Sequence, residues 1–403
     1  GIKGDIDIIL AKNKISREIS IPKISPKKPL DKKREDLTNQ ASLLFRSWES
    51  INAPSLPAIY AEPYDGGTRV WIHTPTIAER INVSGKLDEY LRKRGEAICI
   101  GNDWIDFLNE SLKDKASFKL NEECEAISIM FDIESNGNIL DWKFSLSTIK
   151  PVNIITSKHL EIINKRKRTT KSVPLSLKPI KDSLEIIYTI IHVSNIINNK
   201  NIKDGSIQLD LGIPELKVLS ELHKTYPSRD FYGWSKAYDI KDPQSILNVF
   251  IRTTNNILCR HLNAFNIPYI FTKDEEIDPS SLHELTKSAL TLDTNIKLNT
   301  DGYATTTQLL KSFELSSDKK ILHKLFKHII PGVNLKIYSE KTTPDIKNKH
   351  ELDESYKEKL VGLFSLKKDL TNEILILQSA YSMIDTMFLQ EIKNADVIKR
   401  RCC

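Results

Sequence analysis

The sequence lacks several features that mark common protein classes. No apolar run approaches the roughly 20 residues that a membrane-spanning helix needs. A Gly-x-Ser-x-Gly elbow, a phosphate-binding Walker loop and a dinucleotide-binding fingerprint are all absent. No Cys-x-x-Cys pair occurs among the five cysteines, which are Cys99, Cys124, Cys259, Cys402 and Cys403. This spacing argues against a zinc site and favours a reducing intracellular compartment, either the cytoplasm or an organelle matrix.

What is present is an ordinary globular composition with a mild excess of positive charge. The 403 residues are 40% hydrophobic and 28% charged, enough for one large domain or two moderate ones. The net charge of +6 and the pI near 8.8 fit a phosphate-rich partner such as RNA, and they fit a lysine-rich solvated surface equally well. The chain opens on Gly1 rather than Met, which predicts a processed, tagged or truncated N-terminus.

The first half of the chain has the patterns of a β-sheet. Thr68 to Thr74 alternates like a half-buried strand. Ala126–Phe131 and Ile139–Phe144 are two further strand-like runs, and the Asn136-Gly137 step between them predicts a hairpin with a type I′ turn. A short helix is predicted over Leu87–Arg94.

The second half has long helical patterns. They cover Ile180–Ile197, Pro243–Phe265, Ser280–Leu290, Thr307–Ile330 and Tyr356–Ile392. Asp242 is a candidate cap for the second of these helices, because Pro243 suits the first turn of a helix. The predicted fold is therefore α+β, with a mixed sheet flanked by helices and a largely helical C-terminal half.

Two consecutive segments carry a resemblance to a known family. Gly66 to His73 leads into Leu87 to Gly95, and together they resemble the centre of the ribonuclease II (RNB) catalytic domain. Ile149-Lys150-Pro151 resembles the corresponding step of cyanobacterial and plastid members in particular. Weaker matches follow in the family's order. They are Arg34–Thr38, Asp132–Pro151, Gly205–Asp210 with Pro214-Glu215, Asn255–Ile257 with Asn266–Phe271, and Phe364–Lys368. The resemblance implies an extended lead-in over 1–33, an RNB-like domain over 34–340, and a polar break with a helical region over 341–403.

The resemblance also implies a chemistry that this chain has lost. Family members hydrolyse single-stranded RNA from its 3′ end with Mg²⁺ held by clustered aspartates. At those positions this chain has Asn52, Pro54, Leu56 and Pro57, with no acidic residue between Glu49 and Glu62. One neutral amide cannot replace several anionic ligands of a hard cation. We therefore expect no catalytic residue, no metal site and no cofactor, with Mg²⁺ bound only if the chain is an active nuclease.

Four other carboxylates could substitute as metal ligands, namely Glu49, Glu62, Asp65 and Asp132. We expect instead that all four are solvated charges at turns and strand ends. The family's stacking tyrosine falls at Cys99, and its catalytic arginine pair falls at Lys367-Lys368. Lysine keeps the charge of arginine but loses the planar fork that grips a phosphate.

The candidate RNA-binding residues share a positive charge or a place beside the expected groove. They are Lys165, Arg166, Lys167, Arg168, His73, Arg94, Lys367 and Lys368. The run of four from 165 to 168 is equally well interpreted as a solvated linker. Trp71 and Trp142 offer stacking surfaces for bases, but their strand positions favour core packing.

Three functions remain open at this point. The first is a catalytically inactive RNB-type domain that acts as an RNA-binding or assembly component of a ribonucleoprotein, such as an organellar ribosome or a degradation complex, with protein partners in that complex and no membrane. The second is an active metal-dependent 3′→5′ exoribonuclease. The third is a protein–protein scaffold that docks through Tyr356–Ile392 and binds no RNA. Mitochondrion, plastid and cytoplasm are all compatible with the sequence.

Overall fold

A computed structural model describes most of the chain from Arg34 to Leu363. The described residues are 34–46, 57–76, 80–81, 85–87, 90, 98–100, 103–105, 108, 110–115, 117–170, 172–204, 206, 209, 238–264, 269–274, 277–292, 294–300, 302–330, 333–338 and 358–363. The predicted lead-in over 1–33 lies outside these residues. No helix within the described ranges is long and apolar enough to cross a membrane.

A seven-stranded mixed sheet organises the first half. Its strands are β1 (Glu35–Leu37), β2 (Leu43–Phe45), β3 (Ala58–Tyr64), β4 (Gly67–Pro75), β7 (Cys124–Glu134), β8 (Ile139–Ile149) and β9 (Asn153–Ile155). The order across the sheet is β1-β8-β7-β4-β3-β2-β9. The two outermost pairs are parallel and the inner pairs antiparallel. A separate two-stranded ribbon joins β5 (Ile98–Ile100) to β6 (Asp103–Ile105).

The helices lie beside this sheet and in the second half. They are α1 (Glu110–Lys115), α2 (Ser157–Lys165), α3 (Leu184–Lys203), α4 (Pro243–Ala264), α5 (Pro279–Leu290), α6 (Thr306–Glu314) and α7 (Lys319–Ile329), with a 3₁₀ segment over Leu175–Ser183. A second, antiparallel sheet orders β11 (Val333–Tyr338), β10 (Tyr269–Asp274) and β12 (Glu358–Leu363). The α+β prediction is confirmed.

Within the described ranges, three clusters of buried apolar side chains hold these layers together. The largest packs one face of the central sheet, including Ile72 and Phe131, against α2, α3 and α4. The second covers the opposite face around Trp71. The third joins α5, α6 and α7 around Phe313 and Phe326. Burial at about 25 cal/mol per Å² makes these clusters the main stabilising contribution.

The hairpin between β7 and β8 is present, but its predicted type I′ turn is wrong. The amide of Gly137 donates to the carbonyl of Glu134 at 3.0 Å, and the amide of Glu134 donates to the carbonyl of Asn138 at 2.9 Å. Within this three-residue loop only Gly137 has a positive φ, of 89°. The loop is a turn closed by a glycine bulge, the usual solution for three residues.

The helix predictions are mostly confirmed, with two corrections. Asp242 caps α4, because its carboxylate accepts from the amides of Gln244 and Ser245 at 3.0 and 3.1 Å. The single helix predicted over Thr307–Ile330 is two helices, since the chain turns between Glu314 and Lys319. The helix predicted over Tyr356–Ile392 is wrong where it can be compared, because 358–363 is strand β12 paired with β10. The rest of that range lies outside the described residues.

The half-buried strand predicted over Thr68–Thr74 is also corrected. All six residues from Val70 to Pro75 are buried, so both faces of this part of β4 lie inside the protein. The reason is its central place in the sheet, between β3 and β7, with a buried cluster on each side. Of the predicted helix over Leu87–Arg94, Leu87 and Tyr90 are helical and 91–94 lie outside the described residues.

Candidate functional site

The degenerate nuclease positions lead into the end of the sheet where β3 begins and β4 ends. Ala58, the first residue of β3, is paired with His73 of β4, and His73 is paired with Ser128 of β7. Residues paired directly across strands share one face of a sheet. We call this end, defined by Pro57, Ala58, His73, Ser128 and Ser147, the neutral end.

His73 is fully buried at the neutral end and is held by hydroxyl groups alone. Its Nδ1 lies 2.6 Å from Oγ of Ser128, which in turn hydrogen-bonds Oγ of Ser147. Burial lowers the pKa of His73 to about 3, so the imidazole is neutral at physiological pH. Its Nε2 has no hydrogen-bond partner within the described part of the chain.

The other side chains that define the neutral end are uncharged, whereas Glu125, beside it at the start of β7, is ion-paired with Arg34 and Arg80. Pro57 is buried and offers no side-chain ligand. Thr74 and Thr76, which follow His73, are buried at 1% and 2% exposure. The other predicted degenerate positions, Asn52, Pro54 and Leu56, lie outside the described residues. No three His, Cys, Asp or Glu side chains within the described ranges are grouped closely enough to hold a metal ion.

The opposite end of the same strands is charged. Arg69 of β4 donates two hydrogen bonds of 2.7 Å to the carboxylate of Asp132 on β7. The guanidinium also lies 3.6 Å from the ring centroid of Tyr64, and Glu62 of β3 is paired with Arg69. The carboxylate of Asp132 raises the pKa of Arg69 through these hydrogen bonds. We call the set Glu62, Tyr64, Arg69 and Asp132 the ionic end.

The substitute carboxylates therefore have structural partners or lie elsewhere. Asp132 is neutralised by Arg69, and Glu62 accepts a hydrogen bond of 3.1 Å from the hydroxyl of Tyr60. Asp65 is in the β3–β4 turn with a positive φ of 26°. Glu49 lies outside the described residues. The expectation of a solvated charge fits Asp65, whereas it is wrong for Asp132, which is buried and paired with Arg69.

The two tryptophans do not offer free stacking surfaces. Trp71 is 6% exposed and packs in the cluster that covers the second face of the sheet. Trp142 is partly buried against the main core, and the guanidinium of Arg260 covers its ring at 4.8 Å. Core packing, the favoured interpretation of both residues, accounts for what the structure shows.

The basic run at the end of α2 divides into two arginines that contact α3 and two lysines that do not, although Arg168 itself is exposed. Arg166 donates to the hydroxyl of Tyr188 on α3 at 3.0 Å and to the carbonyl of Ser172 at 3.3 Å. Arg168 binds Glu185 of α3. Lys165 and Lys167 are exposed. The arginines thus fasten the loop after α2 to α3, and the lysines are left to face solvent. Arg94, Lys367 and Lys368 lie outside the described residues.

Sequence reasoning missed Ser128, which contacts His73, and Ser147, which contacts Ser128. Side chains along a strand point alternately to its two faces, so the sequence can predict which residues of β7 share a face with Ser128. Which strand lies beside His73 is not readable, because the pairing joins residues 55 positions apart.

A family model for the RNB domain matches residues 34–350. This chain belongs to the RNB domain family. The ribonuclease II of Arabidopsis thaliana, described as chloroplastic/mitochondrial, is 27% identical over 93 residues, which are 23% of this chain and 12% of that protein. RNB membership and the α+β fold together confirm the resemblance drawn from the sequence.

Solved structures share the fold at low identity. RNase R of Mycoplasma genitalium, in complex with ribose methylated single-stranded RNA, matches with a TM-score of 0.65 and 16% identity over 98% of this chain and 63% of that chain. Yeast Ssd1, a pseudonuclease, matches with a TM-score of 0.61 and 17% identity over 84% of this chain and 41% of that chain. The chain thus spans less than two thirds of these relatives.

Proposed function

We propose that this chain is an RNB-fold protein that binds single-stranded RNA without hydrolysing it, as an RNA-binding or assembly component of a ribonucleoprotein complex. The observation that carries the proposal is the neutral end. There the chain has a buried proline, buried threonines and a neutral imidazole held by serine hydroxyls. In a metal-dependent nuclease this place would need anionic oxygen ligands.

The nearest acids along the chain do not supply them. Glu62 is four residues from the start of β3, which is roughly 13 Å along a strand that rises about 3.3 Å per residue. A Mg²⁺ ion needs oxygen ligands about 2.1 Å away and catalysis needs it held rigidly. A lone buried imidazole is a poor substitute, because Mg²⁺ prefers oxygen and His73 already uses Nδ1 to contact Ser128.

RNA binding is supported by charge and by the family. The net charge is +6, and Lys165 and Lys167 are exposed beside arginines that hold their loop in place. Phosphate contacts give sequence-independent affinity that needs no metal. We expect Lys165→Ala with Lys167→Ala to lower affinity and to reduce the slope of log K against log salt by about 1.4, at about 0.7 per contact for a single strand. Both side chains are exposed, so the melting temperature should not change.

An organelle matrix is the setting that we propose. The Arabidopsis relative is chloroplastic/mitochondrial, and five cysteines without a Cys-x-x-Cys pair suit a reducing compartment. Protein partners in the complex are part of the same proposal, because an RNB fold without a metal site would serve by binding other components of the complex and not by catalysis.

The test combines cleavage and retention on one RNA. Purified protein is incubated with 5′-labelled single-stranded RNA in Mg²⁺, in Mn²⁺ and in EDTA, beside an active RNase R as the positive control. We expect full-length RNA in all three, and retention that weakens as salt rises.

Shortening of the RNA from its 3′ end that requires metal would contradict the proposal, provided that the nuclease activity co-elutes with the protein in gel filtration. It would favour the second function, an active exoribonuclease, for which the shared fold with RNase R is the supporting observation. Neither cleavage nor retention would favour a protein scaffold.

A further inference from the structure

The exposed side of α7 carries a row of lysines that no function described so far uses. Lys320, Lys324 and Lys327 are four and three residues apart, so they lie on one side of the helix, about 6 and 4.5 Å apart along its axis. All three are exposed, as is His328 beside them. Lys320 and Lys324 make no ion pair with any part of the chain that the structure describes.

These charges are placed at a cost to the helix. The first turn of α7 contains no acidic residue and has two lysines at the positive end of the helix dipole. Glu314 pairs with Lys319, and the N-cap residue Asp318 adds a carboxylate at this end, but neither forms an ion pair with Lys320. Lys320 and Lys324 also repel each other at the i, i+4 spacing. A bound polyanion would relieve both effects.

The opposite side of α7 is already in use. Leu322, His323 and Phe326 are fully buried, and the leucine and phenylalanine belong to the core shared with α5 and α6. Two apolar side chains, Ile321 and Leu325, are half-exposed next to the lysine row at 51% and 37%. An amphipathic helix that binds membranes inserts its apolar face into lipid. Here that face is occupied, which favours an electrostatic partner over a bilayer.

We propose that the lysine row of α7, formed by Lys320, Lys324 and Lys327, is a docking surface for the phosphate backbone of single-stranded RNA. The inference rests on the proposed RNA-binding function and names a surface for it. Lysines contact phosphates as point charges without reading sequence. Ile321 and Leu325 at the edge of the row are placed to contact sugars or bases.

The test is a charge reversal that does not weaken the helix. In the variant Lys320→Glu with Lys324→Glu, the first substitution puts a carboxylate in the first turn, where the helix dipole favours it. We therefore expect an unchanged or higher melting temperature. Affinity for a labelled single-stranded RNA should fall about tenfold or more at low salt, and the slope of log K against log salt should shrink by at least about 1.4.

The matched control is Lys178→Glu with Lys181→Glu. These lysines are exposed on the 3₁₀ segment and precede the start of α3, so the change in net charge is the same and its effect on a helix dipole is similar. The control should bind RNA within about threefold of the unaltered protein, since it loses only long-range attraction.

Three outcomes would overturn the inference. Equal losses in the α7 variant and the control would mean that net charge alone attracts RNA. Unaltered binding by the α7 variant would leave the proposed RNA-binding function standing and remove this surface from it. An unaltered protein that binds phosphatidylserine vesicles but no RNA would overturn both proposals together.

Discussion

The ionic end and the neutral end share strands β3, β4 and β7, yet they accommodate polar side chains in opposite ways. At the ionic end, a full positive and a full negative charge are brought together by Arg69 and Asp132. At the neutral end, His73 is uncharged and contacts Ser128, which is hydrogen-bonded in turn to Ser147. The difference teaches that this sheet tolerates buried charge only where an opposite charge of the same chain meets it.

A metal site would need the reverse arrangement. Carboxylates without a cationic partner would have to converge where the strands end, leaving their charge for the metal. At the ionic end Asp132 is paired across strands with Asp141 of β8, and Arg69 already neutralises Asp132. Glu125 of β7, beside the neutral end, is likewise ion-paired, with Arg34 and Arg80, so the charges of Asp132 and Glu125 are both met by arginines of the chain and not left for a metal.

The largest expected effect is a loss of stability in acid, caused by His73 at the neutral end. The unfolded chain binds a proton at His73 below about pH 6.5, whereas the folded chain does so only near pH 3. The free energy of unfolding should thus fall as pH drops from about 6.5 towards 3, by up to about 4–5 kcal/mol from this residue. Above about pH 6.5 it should contribute no pH dependence. Urea unfolding at pH 7.0, 5.5 and 4.5, about one unit apart or more, measures it.

The control is His73→Asn, because an asparagine amide can reach Ser128 and cannot titrate. The variant should be less stable than the unaltered protein at neutral pH, and the gap should narrow as the pH falls. A gap that stays constant from neutral to acid pH would mean that His73 is not buried as a neutral group.

Breaking the pair at the ionic end should have the next largest effect. Asp132→Ala leaves the guanidinium of Arg69, whose side chain is 23% exposed, without its carboxylate. Removing one partner of a buried pair costs about 3–5 kcal/mol, and partial exposure of Arg69 lowers our expectation to about 2–3 kcal/mol. Thermal and urea unfolding would measure the loss.

The double variant Arg69→Met with Asp132→Leu separates charge from packing. Replacing both partners by apolar side chains removes the unpaired charge, so most of the lost stability should return. If the double variant were as unstable as Asp132→Ala, the cost would come from packing around the strands rather than from the isolated charge.

Features that depend on neighbouring residues could be predicted from the sequence, and features that depend on residues far apart in the chain could not. The cap by Asp242 and the hairpin near Gly137 depend on neighbouring residues, and both are present. Two local signals were overlooked. Asp65-Gly66 forms the β3–β4 turn, and Ser316-Ser317-Asp318 lies where the predicted long helix is interrupted. Both are typical turn and cap sequences, so both breaks could be predicted from neighbouring residues.

The remaining differences have no local signal. β12 is a strand because it pairs with β10, some 90 residues earlier, and the helical pattern of its own sequence gives way to that pairing. His73 is neutral because the neighbouring strands bury it, and Ser128, itself hydrogen-bonded to Ser147, contacts its Nδ1. The loss of acids could be predicted from the sequence, whereas the hydroxyl groups that support His73 could not.

The smallest effect tests how closely the strands approach at the ionic end. A Cβ atom added to Gly67 would lie 2.3 Å from the carbonyl oxygen of Ile133, so Gly67→Ala must separate β4 from β7. We expect a loss of about 1–3 kcal/mol. Its control is Gly66→Ala, where the added atom meets nothing within 4 Å and only the positive φ of 81° is unfavourable, at about 1 kcal/mol. Both losses would be read from urea unfolding at neutral pH. Equal losses would mean that the close approach of Gly67 to β7 costs no more than the strain of a positive φ at position 66. A larger loss for Gly67→Ala would instead show that the ionic end depends on close packing of β4 on β7, as the paired side chains of Arg69 and Asp132 require.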